Sequence, residues 1–101
     1  MDSLDNYFEG CIGLIKDEEK FDIKLEIDYP TSIKVSERIW VKGQKVSFNE
    51  DNSIIFEAKM TGIYDIVHWI LSLGSAVRVI EPVELRKKVK EEARKIIKKY
   101  D

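Results

Sequence analysis

The sequence predicts one α+β domain in which a four-stranded antiparallel sheet carries helices on one face. Three observations support this fold class: a run that alternates strictly between apolar and charged residues, a segment whose apolar residues recur with helical period, and a second such stripe at the end of the chain. The 101 residues suit a single domain with one modest core. Apolar residues form 44% of the chain and charged residues 36%, as in an ordinary globular domain.

Residues 1–20 show no clear period and are predicted to be a lead-in segment before a folded domain at residues 21–101. Phe21 to Asp28 predicts the first strand, because its odd positions are apolar and its even positions are charged, which gives one buried and one solvated face. Pro30 ends this strand. Residues 31–39 predict at most a short helix, since their apolar side chains do not share one face.

Residues 40–60 predict a β-hairpin. Trp40 to Phe48 is expected to form its first strand, with Gly43 as an irregularity, and Ile54 to Met60 its second strand. The polar residues 49–52 between them are typical of a turn.

The next segment predicts an amphipathic helix that Gly74 ends, because glycine accepts the left-handed conformation of a helix end. Ala76 to Ile80, rich in β-branched residues, then predicts a strand. The apolar residues of the helix recur at i, i+3, i+4, i+7 and i+8: Ile63, Ile66, Val67, Ile70 and Leu71.

A final helix of about 18 residues is predicted after Pro82, which suits a helix start because it lacks an N–H. Its cations concentrate toward its end, where the helix dipole favours them. Its apolar stripe comprises Leu85, Val89, Ala93, Ile96 and Tyr100. This stripe must be buried either on the same domain or on a second copy.

The predicted order β-α-β-β-α-β is the split βαβ, or ferredoxin-like, arrangement, and the last helix is additional to it. Right-handed crossovers would place both helices of the repeat on one face of the sheet. The charged side of the first strand would then face water.

Charge is distributed unevenly. Residues 1–30 hold nine acids and three bases, a balance of −6, whereas residues 83–101 hold eight bases and four acids, a balance of +4. The two ends could dock on each other or on a partner chain, or they could be two solvated surfaces. The net charge of −2 argues against the domain as a whole binding nucleic acid.

Several features predict a cytoplasmic location. No apolar run reaches the roughly 20 residues of a membrane span, and the acidic start of the chain does not resemble a secretory signal. The single cysteine, Cys11, cannot form an internal disulfide and suits a reducing compartment.

The sequence contains no convincing catalytic constellation, so we expect neither an enzyme nor a cofactor or metal site. The only histidine, His68, is expected on a helix surface, and Cys11 has no nearby histidine or second cysteine. Trp40 and Trp69 are expected to be core or interface anchors rather than a ligand cage. Arg78, inside an apolar strand, should either face solvent or reach a carboxylate or an anionic ligand.

Several motifs occur in a fixed order: a helix that ends in Trp69–Gly74, a strand at Ala76–Ile80, Glu81-Pro82, and Leu85-Arg86 at the start of the last helix. Upstream lie Glu37-Arg38-Ile39-Trp40, then Asp5–Phe8 with Cys11–Leu14. This series resembles the WCX region that follows the WYL domain in bacterial transcriptional regulators.

The resemblance implies the C-terminal regulatory and dimerisation domain of such a regulator, without its helix-turn-helix and without the WYL barrel. It implies a homodimer, DNA contact only through the missing helix-turn-helix, a possible nucleic-acid-like or metabolite effector, and no membrane. The alternative is a free-standing ferredoxin-like sensor of small ligands. The candidate ligand or interface residues are Arg38, Trp40, Trp69, Arg78 and Arg86, of which Arg38 and Arg86 belong to the motifs.

Overall fold

The computed structural model describes residues 20–101. The predictions for the lead-in segment, including Cys11 and the motifs between residues 5 and 14, lie outside the described residues.

The described chain follows the predicted order of elements, with the additional helix at its end. A short 3₁₀ turn, Gly74–Ala76, precedes the last strand. The elements are β1 (Lys20–Ile27), α1 (Thr31–Ser36), β2 (Lys45–Phe48), β3 (Ile54–Thr61), α2 (Ile63–Ser72), β4 (Val77–Glu81) and α3 (Val83–Tyr100).

The four strands form one sheet in the order β2-β3-β1-β4. All three pairings are antiparallel, so the predicted sheet is confirmed. Strand β1 is central: it pairs with β3 over its full length, from Lys20 opposite Thr61 to Ile27 opposite Ile54. Strands β2 and β4 are the two edges.

The core lies between one face of the sheet and the helices. The apolar side of β1 is buried there as predicted, with Leu25 and Ile27 fully inaccessible. Each helix contributes to the same cluster, through Val35 of α1, Ile66 of α2 and Leu85 of α3. The opposite face of the sheet carries the charged side chains of β1.

The prediction that a strand begins at Trp40 was wrong, because β2 begins only at Lys45. The Gln44 side chain accepts hydrogen bonds from the backbone N–H groups of Trp40 and Val41, which closes a loop before the strand. Gly43 lies in this loop with a φ of 82°, a conformation that glycine adopts without strain.

Two other boundaries also differ from prediction. Helix α1 ends at Ser36 rather than near residue 39. The backbone N–H groups of Glu37 and Arg38 donate to carbonyls three residues earlier, which is the pattern of a turn. Ala76 belongs to the 3₁₀ turn rather than to β4, and its carbonyl accepts a hydrogen bond of 2.9 Å from the backbone of Asp28.

Helix α3 has the predicted 18 residues but is anchored mainly near its start. Leu85 is 1% exposed and Val89 packs against the core, whereas Ile96 is 45% exposed and Tyr100 87%. An 18-residue helix is about 27 Å long, and the five residues of β4 span about 17 Å. The helix is therefore longer than the strand it covers, and the second half of its apolar stripe is not buried by residues 20–101.

This uneven anchoring predicts that Leu85→Ala lowers the free energy of unfolding by about 2–5 kcal/mol, the usual cost of a large-to-small change in a core. In protein dilute enough to be monomeric, Ile97→Ala on the same helix should change this free energy by less than about 0.5 kcal/mol, as at other exposed positions. Urea denaturation followed by circular dichroism measures both values. Similar losses in the two variants would contradict the observed anchoring.

Candidate functional site

The loop between α1 and β2 is organised around Gln44. Its Oε1 accepts from the backbone N–H of Trp40 at 2.7 Å and of Val41 at 3.3 Å, and its Nε2 donates to the carbonyl of Arg38 at 2.8 Å. The indole N–H of Trp40 donates to the carbonyl of Val35 at 3.1 Å. The Arg38-x-Trp40 motif is thus held by hydrogen bonds from both sides of the loop.

An aromatic cluster joins this loop to α2 and the sheet. The ring centroids of Trp40 and Trp69 are 5.2 Å apart with a 48° tilt, and those of Trp69 and Phe56 are 5.4 Å apart with a 57° tilt. Both separations fall in the range of favourable aromatic pairs. Since Trp40 is 9% exposed and Trp69 4%, both are core anchors.

Arg38 lies on the outer side of this cluster, with its guanidinium carbon 4.5 Å from the ring centroid of Trp40. A cation over an aromatic face at this distance is a stabilising contact. A shallow cavity of about 290 Å³ adjoins it. The cavity is lined by Lys34, Val35, Glu37, Arg38, Trp40 and Leu73.

Arg78 lies on the open face of the sheet and reaches a carboxylate, one of the alternatives left by the sequence. Its Nε and Nη2 donate to Oε1 of Glu26 at 3.1 and 2.8 Å. The two residues face each other in the register of β4 and β1. This contact fixes the position of the Arg78 side chain beside the edge of the sheet.

Further ion pairs connect β1 and β3 on the same open face. Lys59 lies 3.2 Å from Asp22, and Lys24 lies 3.9 Å from Glu57. Each pair joins residues that are opposite in the strand register. Exposed pairs of this kind contribute little to stability, but they leave the open face close to electrical neutrality.

Arg86 lies in the first half of α3, beside β4. A groove of about 220 Å³ separates the helix from the strand. Arg78 and Arg86 both border this groove, together with Lys90 and three valines: Val77, Val79 and Val89. The groove is therefore apolar at its base and cationic at its rim.

The five candidate residues thus divide into two groups that lie at different places in the fold. Arg38, Trp40 and Trp69 meet at the loop and α2, whereas Arg78 and Arg86 meet at the groove. Sequence reasoning missed Gln44 and did not single out Lys90 among the cations of the last helix. Lys90 follows Arg86 by four residues, a spacing that already places both on one side of a helix.

In the turn of the hairpin, the pKa of Asp51 is shifted. Oδ1 of Asp51 accepts from the hydroxyl of Ser53 at 2.6 Å and from its backbone N–H at 3.0 Å. These bonds, the side-chain bond first, lower the pKa of Asp51 below its ordinary value of 3.8. The arrangement is that of an Asx turn and explains the two residues structurally.

Metal ligands do not gather in the described part of the chain: residues 20–101 hold no group of three or more His, Cys, Asp or Glu side chains placed to bind an ion. None of the helices described is long and apolar enough to cross a membrane.

The role of Gln44 predicts the ranking of two substitutions. Gln44→Ala leaves two backbone N–H groups without their acceptor and should lower the free energy of unfolding by about 1–3 kcal/mol. Gln44→Glu retains the acceptor for both N–H groups, but its second oxygen replaces the donor and repels the carbonyl of Arg38. Its cost should therefore be smaller than that of Gln44→Ala, but not zero. Urea denaturation compares the two variants, and an equal loss in both would contradict this account of the loop.

The lowered pKa of Asp51 predicts a pH effect. Because its folded pKa lies below its unfolded value, the contribution of Asp51 to stability is present above about pH 3.8 and is lost as the pH falls through the folded pKa. Ser53→Ala should raise the pKa of Asp51 toward 3.8. A carbon-13 NMR titration of the Asp51 carboxyl group measures its pKa in the unmodified chain and in the variant. A pKa of 3.8 or higher in the unmodified chain would contradict the prediction.

No curated protein matched the chain. The family model of the WCX domain, however, matches residues 19–97. Since this match covers well over half of the 101 residues, the chain belongs to the WCX domain family.

Proposed function

We propose that the chain is the C-terminal regulatory and dimerisation domain of a cytoplasmic WYL-type transcriptional regulator, with no catalytic activity of its own. The observation that carries this proposal is the WCX match over residues 19–97. DNA contact is assigned to a helix-turn-helix on another domain of the regulator, and any nucleic-acid-like or metabolite effector acts through the assembled protein.

The surface chemistry of the described residues supports a binding role rather than catalysis. The charged side chains on the sheet pair with one another across strands, and His68 is exposed on α2. The two tryptophans are committed to the core. What remains for a partner is the exposed part of α3 and the edges of the sheet.

The second half of α3 is the surface we assign to dimerisation. Ile97 is 59% exposed and Tyr100 87% exposed, on a helix whose first turns are already anchored. Burying such side chains is worth about 25 cal/mol for each Å² of apolar area. Four cations, Arg94, Lys95, Lys98 and Lys99, accompany them, so the complementary surface should be apolar and acidic.

A second copy of the chain offers such a surface at the hairpin end of its sheet. Tyr29 is 58% exposed and Phe48 55% exposed. Asp28, Glu50 and Asp51 lie at the same end, where β1 ends and the turn after β2 begins. Reciprocal packing of each α3 on this end of the other copy would give a closed two-fold dimer.

The proposal predicts a particle of twice the 11.8 kDa chain mass in light scattering. Replacing Ile97 and Tyr100 together by Ser should raise the dimer dissociation constant at least about tenfold, equivalent to about 1.4 kcal/mol. Val83→Ser is the matched control, because Val83 is 60% exposed at the opposite end of α3. Circular dichroism checks that all variants remain folded.

A monomer at high micromolar concentration would overturn the dimer role. An equal effect of Val83→Ser would place the interface elsewhere on α3 and would overturn the assigned surface. The regulator class itself is tested by the genomic sequence upstream of Met1, where a helix-turn-helix and a WYL barrel in the same reading frame are expected.

A further inference from the structure

The groove between β4 and α3 lies along an edge strand of the sheet, a property that neither the family match nor dimerisation requires. Strand β4 is an edge of the sheet, hydrogen-bonded to β1 on one side only among the described strands. The backbone groups on its other side can accept an added strand. Helix α3 runs beside this edge and places Arg86, Val89 and Lys90 along the groove.

The cations of the groove are not neutralised to the same degree. Arg78 is bonded to Glu26, so much of its charge is compensated. Arg86 and Lys90 form no ion pair with the carboxylates of residues 20–101. Arg94 continues their row at the same four-residue spacing, so a row of positive charge extends along one side of α3 and forms no ion pair within residues 20–101.

The spacing of this row matches an extended polypeptide. Four residues of a helix rise about 6 Å, and two residues of a strand rise about 6.6 Å. Side chains that point to the same face of a strand added to β4 would therefore meet Arg86, Lys90 and Arg94 in turn. Alternate carboxylates on such a strand would match the charges of the row.

We propose that the groove between β4 and α3 binds an acidic segment of a partner polypeptide in extended conformation, added to the sheet as a fifth strand beside β4. The backbone of β4 supplies hydrogen bonds, Val77, Val79 and Val89 form the apolar base, and Arg86 and Lys90 bind carboxylates. This inference does not rest on the proposed regulatory role.

Two other occupants fit the groove less well. A second copy joined edge to edge through β4 would bring the Arg86 and Lys90 rows of both copies together, and like charges repel. Single-stranded nucleic acid is bound by stacking its bases on aromatic side chains, and the residues that line the groove include no aromatic ring.

The test uses the complete chain and a synthetic seven-residue peptide in which Glu and Val alternate, measured by isothermal titration calorimetry. We expect saturable binding with a dissociation constant of about 10–100 µM at low ionic strength, weaker as salt screens the charges. Replacing Arg86 and Lys90 together by Glu should weaken binding at least about tenfold. Replacing Lys34 and Lys42 together by Glu makes the same change in net charge at exposed positions outside the groove and should leave affinity within about twofold.

Two further ligands separate strand addition from charge attraction alone. A peptide of the same sequence with alternate backbone N–H groups methylated keeps its carboxylates but cannot complete the hydrogen-bonding pattern, and it should bind at least about tenfold more weakly. An oligothymidylate of equal charge should bind more weakly than the acidic peptide.

The proposal is overturned by undetectable binding of the acidic peptide up to about 1 mM, by equal binding of the methylated peptide, or by equal losses in the two double variants. Tighter binding of the oligothymidylate, lost on replacing Arg86 and Lys90, would identify the groove as a nucleic-acid site instead and would also overturn it.

Discussion

The alternation of apolar and charged residues along β1 is the constraint on which the rest of the structure depends. The strand is central and pairs on both sides, so its register fixes β3 and β4 at once. One face then places Leu25 and Ile27 in the core to which all three helices contribute, and the other exposes Glu26 and Lys24 to water. A shift of one residue would exchange the two faces and bury charge, which makes the register strongly specified.

The fold was predictable because its signals are periodic, and the site was only partly predictable because its contacts join distant residues. The spacing of the apolar residues predicted α2 and the length of α3. The pair Glu26–Arg78 spans 52 residues, and only the sheet register brings the two together. The loop after α1 was misread as strand because Gln44 replaces ladder partners with its own side chain, and no local pattern marks such a residue.

The two groups of candidate residues have different physical roles. Trp40 and Trp69, with Arg38 above them, connect the loop, α2 and the sheet, and most of their surface is already used in the fold. Arg86 and Lys90 contribute little to the core, so folding does not constrain the charge at these positions and it can serve binding of a partner. The sheet face is nearly neutral and α3 is cationic, and the two binding surfaces that we propose both include α3.

The close contact of Trp40 with Trp69 has an optical consequence. These are the only two tryptophans of the chain, and their rings are 5.2 Å apart in a tilted geometry. Indole transitions at such a separation couple, so the pair should give a distinctive signal in near-ultraviolet circular dichroism and in intrinsic fluorescence. Because the pair joins the loop after α1 to α2, the signal reports on the packing of these two elements. Tyr100, at the exposed end of α3, lies outside the cluster. The domain therefore carries its own spectroscopic probe, which can distinguish loosening of the core from events at the end of α3.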